Sequence, residues 1–254
     1  MAISYVSNTS TSVGGTATTF TLTCPTTQAG DILLLDFAHN GTGDGVLSGT
    51  TITTGGLTWT LKHGQLIYSN TRSGKTYWTR ATTDHAGQTV IVSSIGDYST
   101  GLLTIYRGCL GSGDALAGAT IVGELNASGN ETQAEITTLV DNCMVIFIVA
   151  NGNGNYSVSS PSCTSPGALT RRVQGNGTVN CAHCSSDTLK VTAGATGAFT
   201  WAQTNAVTGS WAYALKPALA GPANLKTYNT NLKANIKTIN TNPIANVKTL
   251  DTNA

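Results

Sequence analysis

The sequence predicts an all-β chain, a two-sheet β-sandwich over residues 1–216 followed by an extended repeat tail. Three observations carry that expectation. Short segments alternate apolar and polar residues with period two, and no stretch holds a convincing helical period. Clusters of Gly, Asn, Asp and Ser separate them, as in HNGTGDG at 39–45 and NGNGN at 151–155. The last thirty-two residues are three copies of one pattern.

The elements follow in order. Residues 16–24 place Phe20, Leu22 and Cys24 on one face and threonines on the other. Residues 31–39 read DILLLDFAH, apolar on both faces at the start, as a strand in a sandwich core would be. Further strands are expected over 57–68, 75–81, 89–94 and 102–107. The second half adds 131–139, 143–150, 168–173, 188–192, 198–203 and 209–215. Trp59, Trp78, Trp201 and Trp211 fall inside these segments, so packing is their expected role. Strands of this number and spacing point to a jelly roll as the form of the sandwich. The Pro and Gly residues of 217–222 mark a hinge where the domain stops.

Composition narrows the function classes. Only 10% of the 254 residues are charged and the net charge is +1, so self-association meets little electrostatic resistance. No basic cluster stands outside the scattered tail lysines and Arg171–Arg172, which argues against nucleic acid as a partner. The longest apolar run, 143–150, is too short to span a membrane as a helix. The first residues lack a basic segment followed by an apolar one, so no signal peptide is visible: either the protein leaves the cell by another route, such as phage lysis, or Met1 is not the translated start.

The tail carries the strongest functional signal. Residues 223–233 read ANLKTYNTNLK, 234–244 ANIKTINTNPI and 245–254 ANVKTLDTNA. An apolar residue fills the third place (Leu225, Ile236, Val247) and another the sixth (Tyr228, Ile239, Leu250). As a strand, each repeat turns its two apolar residues to opposite faces, because their separation is odd. Such a strand needs cover on both sides, which a groove or sheet edge of a neighbouring subunit supplies. The same spacing fits an 11-residue coiled coil, but Asn and Thr fill nearly half the positions and Pro243 occupies one seam position. Three repeats filling equivalent sites on successive subunits match a helical lattice.

Chemistry is sparse. The chain has no Gly-x-Ser-x-Gly elbow, His-Glu-x-x-His or phosphate loop, so no catalytic residue is assigned, no cofactor is implied and an enzyme is not expected. Cys181-Ala-His-Cys184 is the one compact cluster of soft ligands. With Cys163 it reads as a disulfide, as part of a zinc site lacking a clear fourth ligand, or as free thiols, and the disulfide among Cys163, Cys181 and Cys184 is favoured. Asp36, His39 and Asp44 surround the first glycine-rich loop, where turn chemistry is the simpler reading than a calcium or sugar site. His63 and His85 are isolated. Glu131 and Glu135 are expected on one face of one strand.

AGDILLLDFAH, GLTWTL, KTYWTRAT, LLTIYRG, DNCMVIFIVA and SWAYALKP, in that order over residues 15–216, resemble a jelly-roll domain of phage tail and virion-surface proteins and of related bacterial surface proteins. The tail resembles the NVKT-I-N repeats that close many phage-like structural proteins. A β head with such a tail is similar to protomers of extracellular helical fibrils known from environmental samples. The resemblance marks a fold and brings no catalytic residues. It implies a structural subunit of an extracellular or virion-associated filament, a homo-oligomer whose tail docks into neighbouring subunits. The alternative is a glycan-binding module, an adhesin whose exposed Trp and Tyr stack on host-surface sugars.

Overall fold

The structure, a computed structural model, describes residues 2–14, 18–40, 51–54, 56–67, 72–93, 98–125, 129–151, 158–176, 182–203 and 208–218. Among these the chain is all-β, without a helix. The first half contributes β1 (Ser4–Val13), β2 (Thr19–Thr23), β3 (Ile32–Asn40), β4 (Thr51–Thr53), β5 (Thr60–Ile67), β6 (Arg72–Arg80), β7 (Thr89–Ser93) and β8 (Tyr98–Arg107). The second half contributes β9 (Leu116–Leu125), β10 (Gly129–Gln133), β11 (Thr137–Thr138), β12 (Cys143–Asn151), β13 (Val158–Cys163), β14 (Thr170–Asn176), β15 (Ala182–Lys190), β16 (Gly194–Ala195), β17 (Phe199–Gln203) and β18 (Thr208–Leu215).

Strand order reveals a duplication. The first half forms a five-stranded sheet β1-β8-β3-β6-β5 and a three-stranded sheet β2-β7-β4. The second half forms β9-β18-β12-β15-β14 and β10-β17-β13, plus the ribbon β11-β16. Setting the ribbon aside and numbering the strands afresh within each half gives the same two orders, 1-8-3-6-5 and 2-7-4. All the pairings are antiparallel.

Three cores separate four layers. Phe20, Leu22, Val90 and Val92 of the first small sheet pack on Leu33, Leu35 and Phe37 of β3. Phe199, Trp201 and Val158 of the second small sheet pack on Val145, Phe147 and Val149 of β12. The opposite faces of β3 (Ile32, Leu34, Ala38) and β12 (Met144, Ile146, Ile148, Ala150) share a central core with Tyr106, Trp211 and Tyr213. The sandwich expected over residues 1–216 is therefore two sandwiches stacked through their larger sheets. This explains the apolar runs of β3 and β12: a strand covered on both faces has no solvent side to keep polar.

Close packing of the central layers depends on one small residue. A Cβ on Gly74 of β6 would lie 2.5 Å from Cη2 of Trp211, so glycine admits the indole. The chain exit is also fixed: Lys216 N–H donates to Ala115, Leu110 N–H to Lys216, and Ala218 N–H to Gly108. Residues 219–254, which include every apolar tail position from Leu225 to Leu250, lie outside the described residues.

Candidate functional site

The central core is crossed by polar side chains that come from both halves. Tyr106 on β8 donates through its hydroxyl to Asp187 on β15 at 2.8 Å. Tyr213, on the corresponding strand β18, donates to Asp36 on β3 at 3.0 Å. Each half thus lends a tyrosine to a carboxylate of the other. Asp187 is further held by Arg172 of β14, whose Nε and Nη2 lie 2.9 and 2.8 Å away, and the guanidinium sits 4.3 Å over the ring of Tyr5.

The Asp36 end is built from neutral donors. Thr76 Oγ1 donates to Asp36 and accepts from Trp211 Nε1 at 2.8 Å. Burial raises the Asp36 carboxyl to about 7, although the hydrogen bonds from Thr76 and Tyr213 pull it down. Asp36 and Asp187 are only 1% and 0% exposed, so this seam fastens the halves together and presents neither carboxylate to a ligand. Beside it, both ring nitrogens of the buried His183 and the hydroxyls of Ser185 and Thr104 have no partner among the described residues. Burial lowers the His183 pKa to about 4.

The structure separates several residues that sequence placed together. Asp36 and His39 lie three apart on β3, and alternation sends Asp36 to the central core while His39 turns toward the small sheet, with Nδ1 3.3 Å from Ser99 Oγ. Asp44 lies outside the described residues. In β15, Cys184 joins the outer core with Phe147 and Trp201, so its neighbour His183 faces the other way and the two do not converge. Cys163 and Cys184 are buried free thiols, as are Cys24, Cys109 and Cys143; Cys181 lies outside the described residues. Among the described residues no group of three or more His, Cys, Asp or Glu is placed to hold a metal.

The remaining candidates fall apart in the same way. Strand β10 ends at Gln133, so Glu131 and Glu135 do not share a strand. The ring of His63 of β5 lies tilted against Trp211, with centroids 5.4 Å apart, and burial lowers its pKa to about 4. His85 Nδ1 lies 3.1 Å from Gln88 in a turn. Trp201 and Trp211 are core residues, 2% and 1% exposed, whereas Trp59 and Trp78 are half-buried.

Two surface features remain. A shallow groove of about 270 Å³ is lined by Gly56, Thr58, Thr60, Trp78, Arg80 and Thr82, among others. There the Arg80 guanidinium lies 5.9 Å from the Trp78 ring centroid and donates to the Leu110 carbonyl at 2.6 Å. Among the described residues the large apolar side chains left exposed are Leu61 (50%) on β5 and Leu139, Val140 and Val191 around the β11–β16 ribbon. Sequence reasoning missed the seam altogether. Its signal was a lone Asp in the polar run CSSD of a chain with few charges; a buried carboxylate in such a strand requires donors from a facing element. No helix among the described residues is long and apolar enough to cross a membrane.

Comparison of the chain with protein-family models, with curated proteins and with solved structures finds no match.

Proposed function

We propose that this protein is a structural subunit that self-assembles into an extracellular or virion-associated helical fibre. In this reading the folded part is a pair of jelly rolls, and the repeat tail of one subunit docks into grooves or sheet edges of its neighbours. The observation that carries the reading is the tail itself. Three near-identical 11-residue segments, each with one apolar residue for either face of a strand, offer three equivalent contacts in succession. The jelly-roll assignment is supported by the order 1-8-3-6 facing 2-7-4 in both halves, with the fifth strand carried at the edge of the larger sheet. Low charge density favours close approach of copies.

The test compares the full chain with a chain ending at Ala218, which keeps the Ala218–Gly108 hydrogen bond. Negative-stain electron microscopy is expected to show filaments with the tail and separate particles without it. Equal filaments from both would remove the tail from the assembly and end the proposal.

A second reading rests on the groove beside Trp78. An indole face among the hydroxyls of Thr58, Thr60 and Thr82 suits a sugar ring, which offers apolar C–H groups to stack and hydroxyls to bond. Glycan-array binding that disappears in Trp78→Ala would favour an adhesin. The absence of binding by the folded part would leave the structural reading alone.

A further inference from the structure

The two sandwiches share a topology but treat one flank differently. In each half the five-stranded sheet is wider than the three-stranded sheet that covers it, so its last strand overhangs. In the second half the overhang is sealed. A row of register partners runs Ala212, Phe147, Ser186, Arg171 from β18 to β14, turning polar before it leaves the covered region. Arg171 then reaches the edge of the covering sheet, donating to the Val158 carbonyl at 2.7 Å. Gln174 accepts from the Val158 N–H at 3.3 Å. Both backbone groups of that edge residue are satisfied by side chains, a protected edge.

Among the described residues the first half lacks this arrangement. Its matching row runs Leu103, Leu35, Tyr77, Leu61 from β8 to β5 and stays apolar to the end. Leu103 and Leu35 are fully buried, Tyr77 is partly buried and Leu61 is 50% exposed. Tyr77 stacks on Phe37 at 6.0 Å, which fixes this row on the side of the small sheet. Among the described residues the covering strand β4 runs only over Thr51–Thr53. Among the described residues β5 pairs on one side only, with β6. Among the described residues an apolar shelf therefore meets a strand edge whose backbone groups have no ladder partner on that side, and the same fold in the same chain shows what closure of that flank looks like.

We infer that the β5 flank of the first sandwich is the acceptor for an added strand, and that its occupant is a repeat of the tail of a neighbouring copy. This rests on the fibre reading and gives it an address. The repeat fits both halves of the vacancy. Its backbone would continue the β5 ladder, and one apolar residue of each pair (Leu225 or Tyr228, Ile236 or Ile239, Val247 or Leu250) would cover Leu61 and Tyr77. Its other apolar residue faces away, toward the next subunit, as a lattice requires. The exposed apolar group at Leu139, Val140 and Val191 is the competing address, but it sits on a turn beside a two-residue ribbon and offers no ladder of useful length.

The decisive comparison uses the full chain with Leu61→Glu, the full chain with Leu139→Glu, and the chain ending at Ala218. Leu61→Glu is expected to abolish pelletable filaments without moving the thermal midpoint, because the side chain is half-exposed, and Leu139→Glu to leave assembly unchanged. In parallel, a photo-crosslinking residue at position 236 in a mixture of isotopically light and heavy full chains is expected to join light and heavy copies at β5 or β6. Filaments from Leu61→Glu, or crosslinks concentrated at residues 139–142, overturn the inference while the fibre reading stands. Filaments from the chain ending at Ala218 overturn both.

Discussion

Asp36 and His183 are buried ionisable groups with opposite effects on stability. Burial holds the Asp36 carboxyl near 7, above the roughly 3.9 of an unfolded aspartate. Between those values the folded chain binds the extra proton, so the contribution of Asp36 is full below about 4 and is lost as pH rises through about 7. The stability of Asp36→Asn relative to the natural chain should therefore increase from pH 5 to pH 8, read as the difference between their thermal midpoints. His183 works in the other direction. Its pKa is lowered to about 4, so its contribution is lost as pH falls from about 6.5 toward 4. At the other end of the seam, Arg172→Met should cost about 3–5 kcal/mol, because it leaves the fully buried Asp187 without its cation; urea denaturation measures this. Gly74→Ala should cost about 1–3 kcal/mol by overpacking, since Trp211 is held by Thr76 and cannot swing clear of a new methyl.

Strand edges carry the next prediction. Arg171→Ala removes the donor that seals the Val158 carbonyl, making the second overhang resemble the first. Added self-association at that flank is expected, visible by light scattering of the chain ending at Ala218. How much of this was legible in sequence differs by element. Strands with period two or continuous apolar runs, such as β2, β3, β12 and β18, can be read directly, because their faces differ in burial or are both buried. Strand β1 (SYVSNTSTSV) has no such contrast, with a burial pattern of mostly intermediate positions. It is a strand because β8 offers it a ladder, which is tertiary information. Strand β15 was expected only from Thr188 because CSSD is polar; those residues are nonetheless buried, Asp187 in the polar seam and Cys184 in the outer core. The doubling of the sandwich had two visible traces, DILLLDFAH and the apolar run 143–150, each with both faces apolar where a two-sheet sandwich needs only one. The seam itself was illegible, because its partners lie 81 and 177 residues apart.

The folded part should behave as one cooperative body. A shared central core and two reciprocal tyrosine–carboxylate bridges leave neither half with a face it could expose cheaply. Thermal unfolding followed by near-ultraviolet dichroism and by tryptophan fluorescence should give one coincident transition. Two separated transitions would show that the halves fold independently. A mechanical consequence follows from where the chain leaves. Strand β18 is the last element before the tail, and it lies between β12 and β9, bonded to both. A pull transmitted through the tail and directed along β18 would load both ladders in shear, many hydrogen bonds at once. An edge strand pulled sideways would instead peel open one bond at a time. A filament tethered by such tails would resist tension at the subunit itself, and its weakest point under strain would be the docking contact.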